Sequence, residues 1–271
     1  MSNIKSLQKK ATELRKDIVT MICKSKSGHP GGSLSVIDIL TALYYDVMDV
    51  DATNPKKEDR DRFVLSKGHA APALYAVLAD KGYIPKEALG TLRQFGSILQ
   101  GHPDMKKVPG VDMSTGSLGQ GLSVANGMAQ SAKISNQDYR TYVIMGDGEV
   151  QEGQIWEAAM TSAHYKLDNI CAILDSNNLQ IDGNVDKVMG VEPLDKKWEA
   201  FGWNVIKVDG HDYESIIEGL NKAKECKGKP SILIAKTVKG KGVSFMENNG
   251  GWHGVAPTDE ETAKALAELN S

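Results

Sequence analysis

The chain has 271 residues and a nearly balanced charge, with 32 basic against 35 acidic residues for a net of −3. A chain of this length can form one large domain over residues 1–271 and bury roughly three quarters of its extended-chain surface. The balanced charge, without a basic stripe interleaved with aromatic residues, argues against nucleic acid as a partner.

Hydropathy and cysteine usage indicate the cellular compartment of the protein. No apolar run is long enough to span a membrane, and the charged, amphipathic amino-terminal segment lacks the apolar core of a signal peptide. Cys23, Cys171 and Cys226 lie far apart without the spacing of a metal site. We therefore expect reduced, structural thiols in a cytoplasmic protein that has no membrane partner.

The first half of the chain alternates predicted helices with polar loops. Apolar residues at intervals of three and four predict a helix over residues 6–25. A loop with glycine and proline at residues 27–32 ends it, and Ser33 or Ser35 is expected to cap a helix that continues through Met48. Further predicted elements are a strand at residues 63–65, helices at residues 71–81 and 85–95, an irregular segment at residues 96–116 and a helix opened by residues 115–121.

A strand, a crossover helix and a second strand are predicted within residues 139–183. Apolar runs at residues 142–145 and 170–174 both end in turn-forming residues, and apolar residues at helical spacing lie between them. Such a unit is parallel with a right-handed crossover, so its two strand ends lie at the same edge of the sheet. Asp147 and Asn177 should therefore lie side by side, where open α/β sheets bind ligands.

Oxygen donors at this edge suit a hard cation that holds a diphosphate. Asp147 offers a carboxylate, Asn177 an amide oxygen, and the irregular backbone that follows can turn the Leu179 carbonyl toward the same point. Oxygen ligands without sulfur or imidazole favour Mg²⁺ or Ca²⁺. Gly146 and Gly148 let phosphate oxygens approach backbone N–H groups near the helix start. The competing interpretation, a pair of ordinary turns, does not explain the helix-length separation of the two motifs.

The last third of the chain adds more elements of the same kind. They are strands at residues 204–208 and 231–237, a helix at residues 213–225, and a helix at residues 259–269 with Thr258 as a possible cap. Residues 239–242 follow the last strand, so they too should lie at an edge of the sheet. The pattern predicts an α/β fold with a mostly parallel β-sheet and helices on both faces, but it does not give the strand order.

Histidines are concentrated in predicted loops. Four of the six, His29, His69, His102 and His211, directly follow glycine. Each alone is more often a loop residue than a catalyst, but loops carry function and give a substrate access to the ring. Imidazole binds hydroxyl groups and moves protons near neutral pH. His164 lies within the crossover helix and is interpreted as structural, and no site is assigned to His211.

Several sequence words together carry a family resemblance. The GDG at residues 146–148, followed about thirty residues later by the NN at residues 177–178, resembles the thiamine diphosphate motif. The words SGHPGGS, LSKGHA, QGHPD, TGSLGQG and GDGEVQEG resemble transketolase. The resemblance covers residues 7–257 but only the amino-terminal half of a full-length enzyme. The chain thus resembles the amino-terminal subunit of a split transketolase with the thiamine diphosphate-binding fold.

The resemblance implies roles for individual residues. His29 and His253 match histidines that line the reacting carbonyl and the donor sugar hydroxyls, His69 matches one near the diphosphate and the reaction centre, and His102 matches one facing the terminal hydroxyl of the donor. The cofactor-binding residues that it implies are Lys67, His69, Gly116, Ser117, Leu118, Lys239 and His253, with Leu118 against the thiazolium region. Without the resemblance, each lysine would be interpreted as solvated.

The resemblance implies a different role for two glutamates. Glu152 and Glu157 match family glutamates at an interface between subunits, where they help to connect two active sites. From their position alone, they are acids of a first helical turn that complement the helix dipole.

The implied activity is the transfer of a two-carbon ketol unit between sugar phosphates, with thiamine diphosphate and a divalent metal. The chain lacks the half in which the family keeps the glutamate and aromatic pocket for the aminopyrimidine ring. We therefore expect a carboxyl-terminal partner subunit, with two copies of each chain in an α2β2 assembly. Alternatives are a 1-deoxyxylulose-5-phosphate synthase-like enzyme, a 2-oxoacid dehydrogenase α subunit, or a regulatory subunit that binds the cofactor without catalysis.

Overall fold

Parallel strands form the central layer of the protein. A computed structural model describes residues 4–181 and 183–271. Its strands are β1 (Arg62–Leu65), β2 (Thr141–Gly146), β3 (Ile170–Ser176), β4 (Leu179–Gln180), β5 (Gly183–Asn184), β6 (Asn204–Asp209) and β7 (Ser231–Lys236). Strands β1, β2, β3, β7 and β6 form one sheet in that order, with every neighbouring pair parallel. Strands β4 and β5 form a short antiparallel hairpin.

Helices cover both faces of this sheet. They are α1 (Ile4–Ser25), α2 (Pro30–Ala42), α3 (Ala71–Asp80), α4 (Gly121–Ile134), α5 (Gly153–His164), α6 (Val185–Val188), α7 (Leu194–Ala200), α8 (Tyr213–Glu225) and α9 (Asp259–Glu268). One buried cluster joins α1, α2, α3 and α8 to the sheet, and a second joins α4, α5 and α7 to its other face.

Side-chain alternation along β2 explains why its sequence is continuously apolar. On β2, Tyr142 and Ile144 belong to the first cluster, whereas Val143 and Met145 belong to the second. A strand buried on both faces needs an apolar residue at every position. The predicted α/β class with helices on both faces is confirmed.

The start of α2 differs from the prediction. Neither Ser33 nor Ser35 caps the helix, because it already begins at Pro30 with His29 at the N-cap position. Proline suits the first helical turn, since its missing N–H has no intrahelical partner there. Ser33 Oγ instead donates to the His29 carbonyl at 2.7 Å. The helical path then continues as a π-helical segment over Leu43–Val47, one residue short of the predicted end.

Most of the other predicted elements are confirmed. Residues 85–95 contain a short 3₁₀ helix at Lys86–Thr91, and Thr258 caps α9 through a reciprocal capping box with Glu261. The β4–β5 hairpin, α6 and α7 were not predicted.

Two further observations concern the predicted cellular setting. Within the described ranges, no helix is long and apolar enough to cross a bilayer. The prediction that the chain has no signal peptide rests on its amino-terminal segment, and residues 1–3 of that segment lie outside the described ranges.

Candidate functional site

The carboxyl ends of β1, β2, β3 and β7 meet at one edge of the sheet, because all four strands run in the same direction. A cavity of about 390 Å³ lies at this edge. The predicted residues that line it are His29, Lys67, His69, His102, Gly116, Leu118, Gly146, Asp147, Gly148, Asn177, Leu179, Lys239 and His253. Ser117, the remaining predicted residue, is exposed between Gly116 and Leu118. The structure therefore brings the predicted set together, while the role of each residue remains a prediction.

Asp147 and Asn177 lie next to each other, as their strand positions predict. Gly146 pairs with Asp175 in the parallel register of β2 and β3, so the loops that follow are adjacent. The Asp147 carboxylate is buried and accepts hydrogen bonds from the backbone N–H groups of Gly148, at 2.9 Å, and Asn178. Asn177 Oδ1 accepts from the Leu179 N–H at 3.0 Å.

The donor set at this point fits a hard divalent cation. Burial and the charge of Asp175 raise the pKa of Asp147 to about 6. A cation beside Asp147 would favour its ionised form. Leu179 lines the same cavity as Asp147 and Asn177, and its carbonyl accepts a hydrogen bond from Lys239 Nζ at 3.0 Å. All three predicted ligands thus offer oxygen, the donor that Mg²⁺ and Ca²⁺ prefer.

Two buried lysines lie on one side of the cavity. Lys239 is 2% exposed, and burial together with the charge of Lys67 lowers its pKa to about 8. Lys67 forms an ion pair with the buried Asp175. A Cβ at Gly148 would lie 3.2 Å from Gln180 Cβ, so glycine leaves room for β4 to pack there. Two buried amines at one wall suit an anion such as a diphosphate.

Three imidazole rings form a cluster on the wall of the cavity. The ring centroids of His29, His69 and His253 lie 5.1 to 5.5 Å apart. Burial and nearby cations lower their pKa values, for His29 to about 4 and for His253 to about 3. Burial and the charge of Lys67 also hold the pKa of His69 well below its ordinary value. At neutral pH the cluster is therefore uncharged.

His102 lies on a separate loop that lines the same cavity. A Cβ at Gly116 would come within 3.1 Å of its ring. Burial and the charge of Arg93 lower the pKa of His102. Its ring thus packs against the backbone of Gly116.

Glu149 is a buried residue of the site that the sequence reasoning missed. Glu149 Oε1 accepts hydrogen bonds from Ser66 Oγ and, at 2.9 Å, from the Gly119 N–H. Its Oε2 accepts from the Gly146 N–H at 3.1 Å. Glu149 therefore ties together three loops that line the cavity. Its position directly after the GDG was the only signal in the sequence.

His211 lies outside the cavity and supports a loop that enters it. His211 Nδ1 lies 2.8 Å from Asp38 Oδ2, and its Nε2 accepts from the Val238 N–H at 2.8 Å. Arg15 binds the same Asp38 carboxylate and donates through Nε to the Lys241 carbonyl at 3.0 Å. The backbone is thus held on both sides of position 239. His164, assigned a structural role from the sequence, is exposed at the end of α5 and contacts the Tyr165 ring.

A second depression, of about 540 Å³, lies between α4 and α5. Glu157 lines this surface, whereas Glu152 lines the first cavity. The two glutamates therefore face different parts of the molecule. Among the described residues, no histidine or lysine lines the second depression, so the predicted chemistry belongs to the first.

Comparisons with known proteins identify a family and several relatives. The family model described as "Transketolase, thiamine diphosphate binding domain" matches residues 6–270. The chain is 48% identical to one of the subunits of apulose-4-phosphate transketolase from Phocaeicola vulgatus, over 98% of this chain and 95% of that protein. It is also 48% identical to 6-deoxy-6-sulfo-D-fructose transketolase subunit SqwG of Clostridium sp., over 97% and 96%.

The fold is also that of a solved enzyme. The crystal structure of transketolase from Campylobacter jejuni superimposes with a TM-score of 0.94 at 38% identity. It matches 99% of this chain, but this chain spans only 43% of that one.

Proposed function

The chain belongs to the family of transketolase thiamine diphosphate binding domains, and from this premise we propose that it is the amino-terminal subunit of a split transketolase. It takes part in the transfer of a two-carbon ketol unit from a ketose phosphate to an aldose phosphate. The observation that carries the proposal is the one cavity in which an oxygen donor set, two buried lysines and a cluster of neutral histidines converge. The whole chain, residues 1–271, then serves as one cofactor-binding domain.

The cofactor-binding residues follow from the chemistry of the cavity. The side chains of Asp147 and Asn177 and the carbonyl of Leu179 would hold Mg²⁺, or Ca²⁺ in its place. The diphosphate would lie against the backbone of the GDG turn and the two lysines. The residues proposed to contact the rest of the cofactor are Lys67, His69, Gly116, Ser117, Leu118, Gly146, Gly148, Lys239 and His253. When bound, thiamine diphosphate supplies the nucleophilic carbon that ketol transfer requires.

The chain's own contribution to the chemistry is the placement of neutral imidazoles. His29, His69 and His253 present ring nitrogens to the cavity without charge, so they hydrogen-bond sugar oxygens without repelling a cationic ring. His102, on a separate loop of the same cavity, would contact the far end of the donor sugar. Binding and orientation of the ketose by these four residues is the role that we assign to this half of the active site.

A second chain completes the enzyme. Leu118, Ile181 and Met189, at or near the loops that line the cavity, are 36%, 71% and 61% exposed, and we propose that the partner covers them. We propose a carboxyl-terminal transketolase subunit in an α2β2 assembly, with Glu152 and Glu157 near the junctions between chains. The buried free thiols of Cys23 and Cys171 suit a reducing compartment, and we place the enzyme in the cytoplasm.

Reconstitution tests the proposal. The chain is purified alone and together with a carboxyl-terminal partner, and ketol transfer is measured with a panel of ketose phosphate donors, Mg²⁺ and thiamine diphosphate. We expect turnover only with the pair, because each chain holds half of the site. His253→Asn in the pair should lower kcat by about 100-fold, the scale of a lost catalytic hydrogen bond or proton transfer. His164→Asn, on the exposed end of α5, should leave it unchanged.

Three outcomes would overturn the proposal. Full turnover by the single chain would remove the need for a partner. A pair that is indifferent to His253→Asn would point to a regulatory subunit. Release of CO₂ from pyruvate would point to another class of thiamine diphosphate enzyme.

A further inference from the structure

Arg93 contacts both Gly-His-Pro loops of the chain, at residues 28–30 and 101–103. We propose that Arg93 is a positioning residue for His29, which it fixes as the tautomer with its proton on Nε2, so that His29 meets the substrate as a hydrogen-bond donor. The inference rests on the proposed function, in which His29 faces the donor sugar.

The contacts of the guanidinium set the tautomer. Arg93 Nη2 lies 3.2 Å from His29 Nδ1, and Nη1 donates to Ser27 Oγ at 3.1 Å. A guanidinium carries only donors and does not lose its proton in proteins, so Nδ1 must be the acceptor. A neutral imidazole whose Nδ1 accepts carries its proton on Nε2. The remaining N–H of His29 is therefore available to the cavity that the ring lines.

The second Gly-His-Pro loop holds the guanidinium in place. Arg93 Nη2 also lies 3.5 Å from the Gly101 carbonyl. A Cβ at Gly101 would come within 2.8 Å of Arg93 Cζ, so only glycine leaves room for the planar group. The two copies of Gly-His-Pro are therefore linked in the structure. Gly101 of the second copy leaves room for Arg93, and Arg93 orients His29 of the first copy.

The backbone of Arg93 supports the same arrangement. Arg93 has a φ of +59°, an uncommon conformation for a residue other than glycine. Its N–H donates to the Leu99 carbonyl at 2.8 Å, which closes the loop and aims the side chain back toward His29.

The consequence is chemical. An imidazole held in this way can donate from Nε2 but has no free lone pair, so His29 binds or polarises a sugar oxygen and does not remove a proton. The low pKa of His29, caused by burial and by the charge of Arg93, agrees with a ring that stays neutral.

Nuclear magnetic resonance of the full chain labelled with ¹⁵N-histidine tests the assignment. Long-range ¹H–¹⁵N spectra report the tautomer of each ring, and the His29 signals are assigned by their loss in His29→Gln. We expect a single tautomer with the proton on Nε2 in the wild type. Arg93→Met, which keeps the length but removes the donors, should give a tautomer mixture and a higher His29 pKa. Arg93→Lys should retain most of the wild-type tautomer, because a donor remains.

Arg62→Met is the matched control, since Arg62 lies at the start of β1 and contacts Tyr139 rather than any histidine. It should leave the His29 signals unchanged. A proton on Nδ1 in the wild type, or an unchanged tautomer in Arg93→Met, would overturn the proposal. If Arg93→Met does not fold, the wild type and Arg93→Lys still decide the question.

Kinetics with the partner chain provide the second measurement. We expect Arg93→Met to lower kcat/KM for the ketose about tenfold while the affinity for thiamine diphosphate stays the same, and Arg93→Lys to recover part of the loss. An equal loss in cofactor affinity would indicate a merely structural role and overturn the proposal. If the tautomer is as expected but no pair turns over ketoses, the Arg93 assignment stands and the ketol transfer proposal fails.

Discussion

Lys67 and Asp175 show how a charge is maintained in the interior of this protein. Lys67 is 3% exposed and Asp175 is fully buried. Burial alone would raise the pKa of Asp175, but Lys67 and the hydroxyls of Ser35 and Thr237 hold it below its ordinary value. Both members of the pair thus have hydrogen-bond partners in the interior, and Lys67 lies at the wall of the cavity.

Removal of one partner should be costly. We expect Lys67→Met to lower the free energy of unfolding of the chain by roughly 3–5 kcal/mol, because Asp175 then keeps an uncompensated buried charge. Lys133→Met is the matched control. Lys133 pairs with Asp168 at 2.7 Å on the surface, where such a pair contributes less than about 1 kcal/mol. Urea unfolding of both variants checks this, and equal losses would contradict it.

The neutral His29 makes stability depend on pH. Its pKa is about 4 in the folded chain against about 6.5 when unfolded, so between these values the unfolded state binds more protons. The contribution of His29 to stability is therefore present at pH 7.5 and decreases as the pH falls through 6.5 toward 4. The raised pKa of Asp147 has the opposite effect, since it increases stability as the pH falls through about 6. The contribution of His29 is therefore isolated by comparing the wild type with a variant that lacks the His29 ring.

We expect the unfolding free energy of the wild type to decrease more between pH 7.5 and pH 5 than that of His29→Gln, which has no titrating ring. Urea unfolding at the two pH values measures this difference. His164→Gln, a change at the exposed end of α5, should keep the wild-type pH dependence. Identical pH dependence in the wild type and His29→Gln would show that the His29 ring is not held neutral.

Sequence reasoning at the residue scale identified groups next to glycine and at strand ends. It missed Asp175, whose partner Lys67 lies 108 positions away, and it missed Arg93, whose function depends on Ser27, His29 and Gly101. A single sequence does not indicate such pairings, because no local pattern links one partner to the other. Glu149 was within a recognised motif, but only the fold shows that its carboxylate binds three loops.

At the scale of elements, glycines in α4 have different roles along one helix. Gly121 packs on the end of β1, where its N–H donates to Ser66 Oγ at 3.2 Å and an added Cβ would come within 2.8 Å of Ser66 Cα. Gly127, two turns later, is exposed and has nothing within 4 Å of an added Cβ. The first glycine is required for packing, and the second only weakens the helix.

Alanine at these two positions should therefore have opposite effects. We expect Gly121→Ala to destabilise the chain by roughly 1–3 kcal/mol, because the Ser66 backbone must move. Gly127→Ala should stabilise it by about 0.5–1 kcal/mol through helix propensity alone. Thermal or urea unfolding of the two variants gives the sign of each change in the free energy of unfolding. A stabilised Gly121→Ala would contradict the close approach of α4 to β1.

The sequence predicted most elements because their signals are local. The strands of the main sheet are apolar runs that end in turns, and α1, α5 and α8 have helical periodicity. The predicted start of α2 was wrong, because Pro30 was interpreted as a helix breaker although it is the first residue of the helix. The short α7 and the order of the strands were not predictable, because both depend on contacts between distant segments.

On the scale of the whole molecule, the direction of the strands creates the site. Parallel strands place the ends of β1, β2, β3 and β7 at one edge, so loops from across the chain share one cavity. The chain spans 43% of a solved transketolase, and on our proposal the groups that complete the cavity lie on a second chain. In the sequence, the expectation of a second chain rests on the length of the resemblance, which covers only the amino-terminal half of a full-length enzyme of the family.

Calorimetric titration of thiamine diphosphate into the full chain tests the central claim most directly. The account predicts binding that depends on Mg²⁺ and that Asp147→Asn weakens at least about tenfold, because the carboxylate ligand is lost. Asp138→Asn, a change at an exposed residue before β2, should bind as the wild type does. Binding that is indifferent to Mg²⁺, or an Asp147→Asn variant with wild-type affinity, would contradict the account.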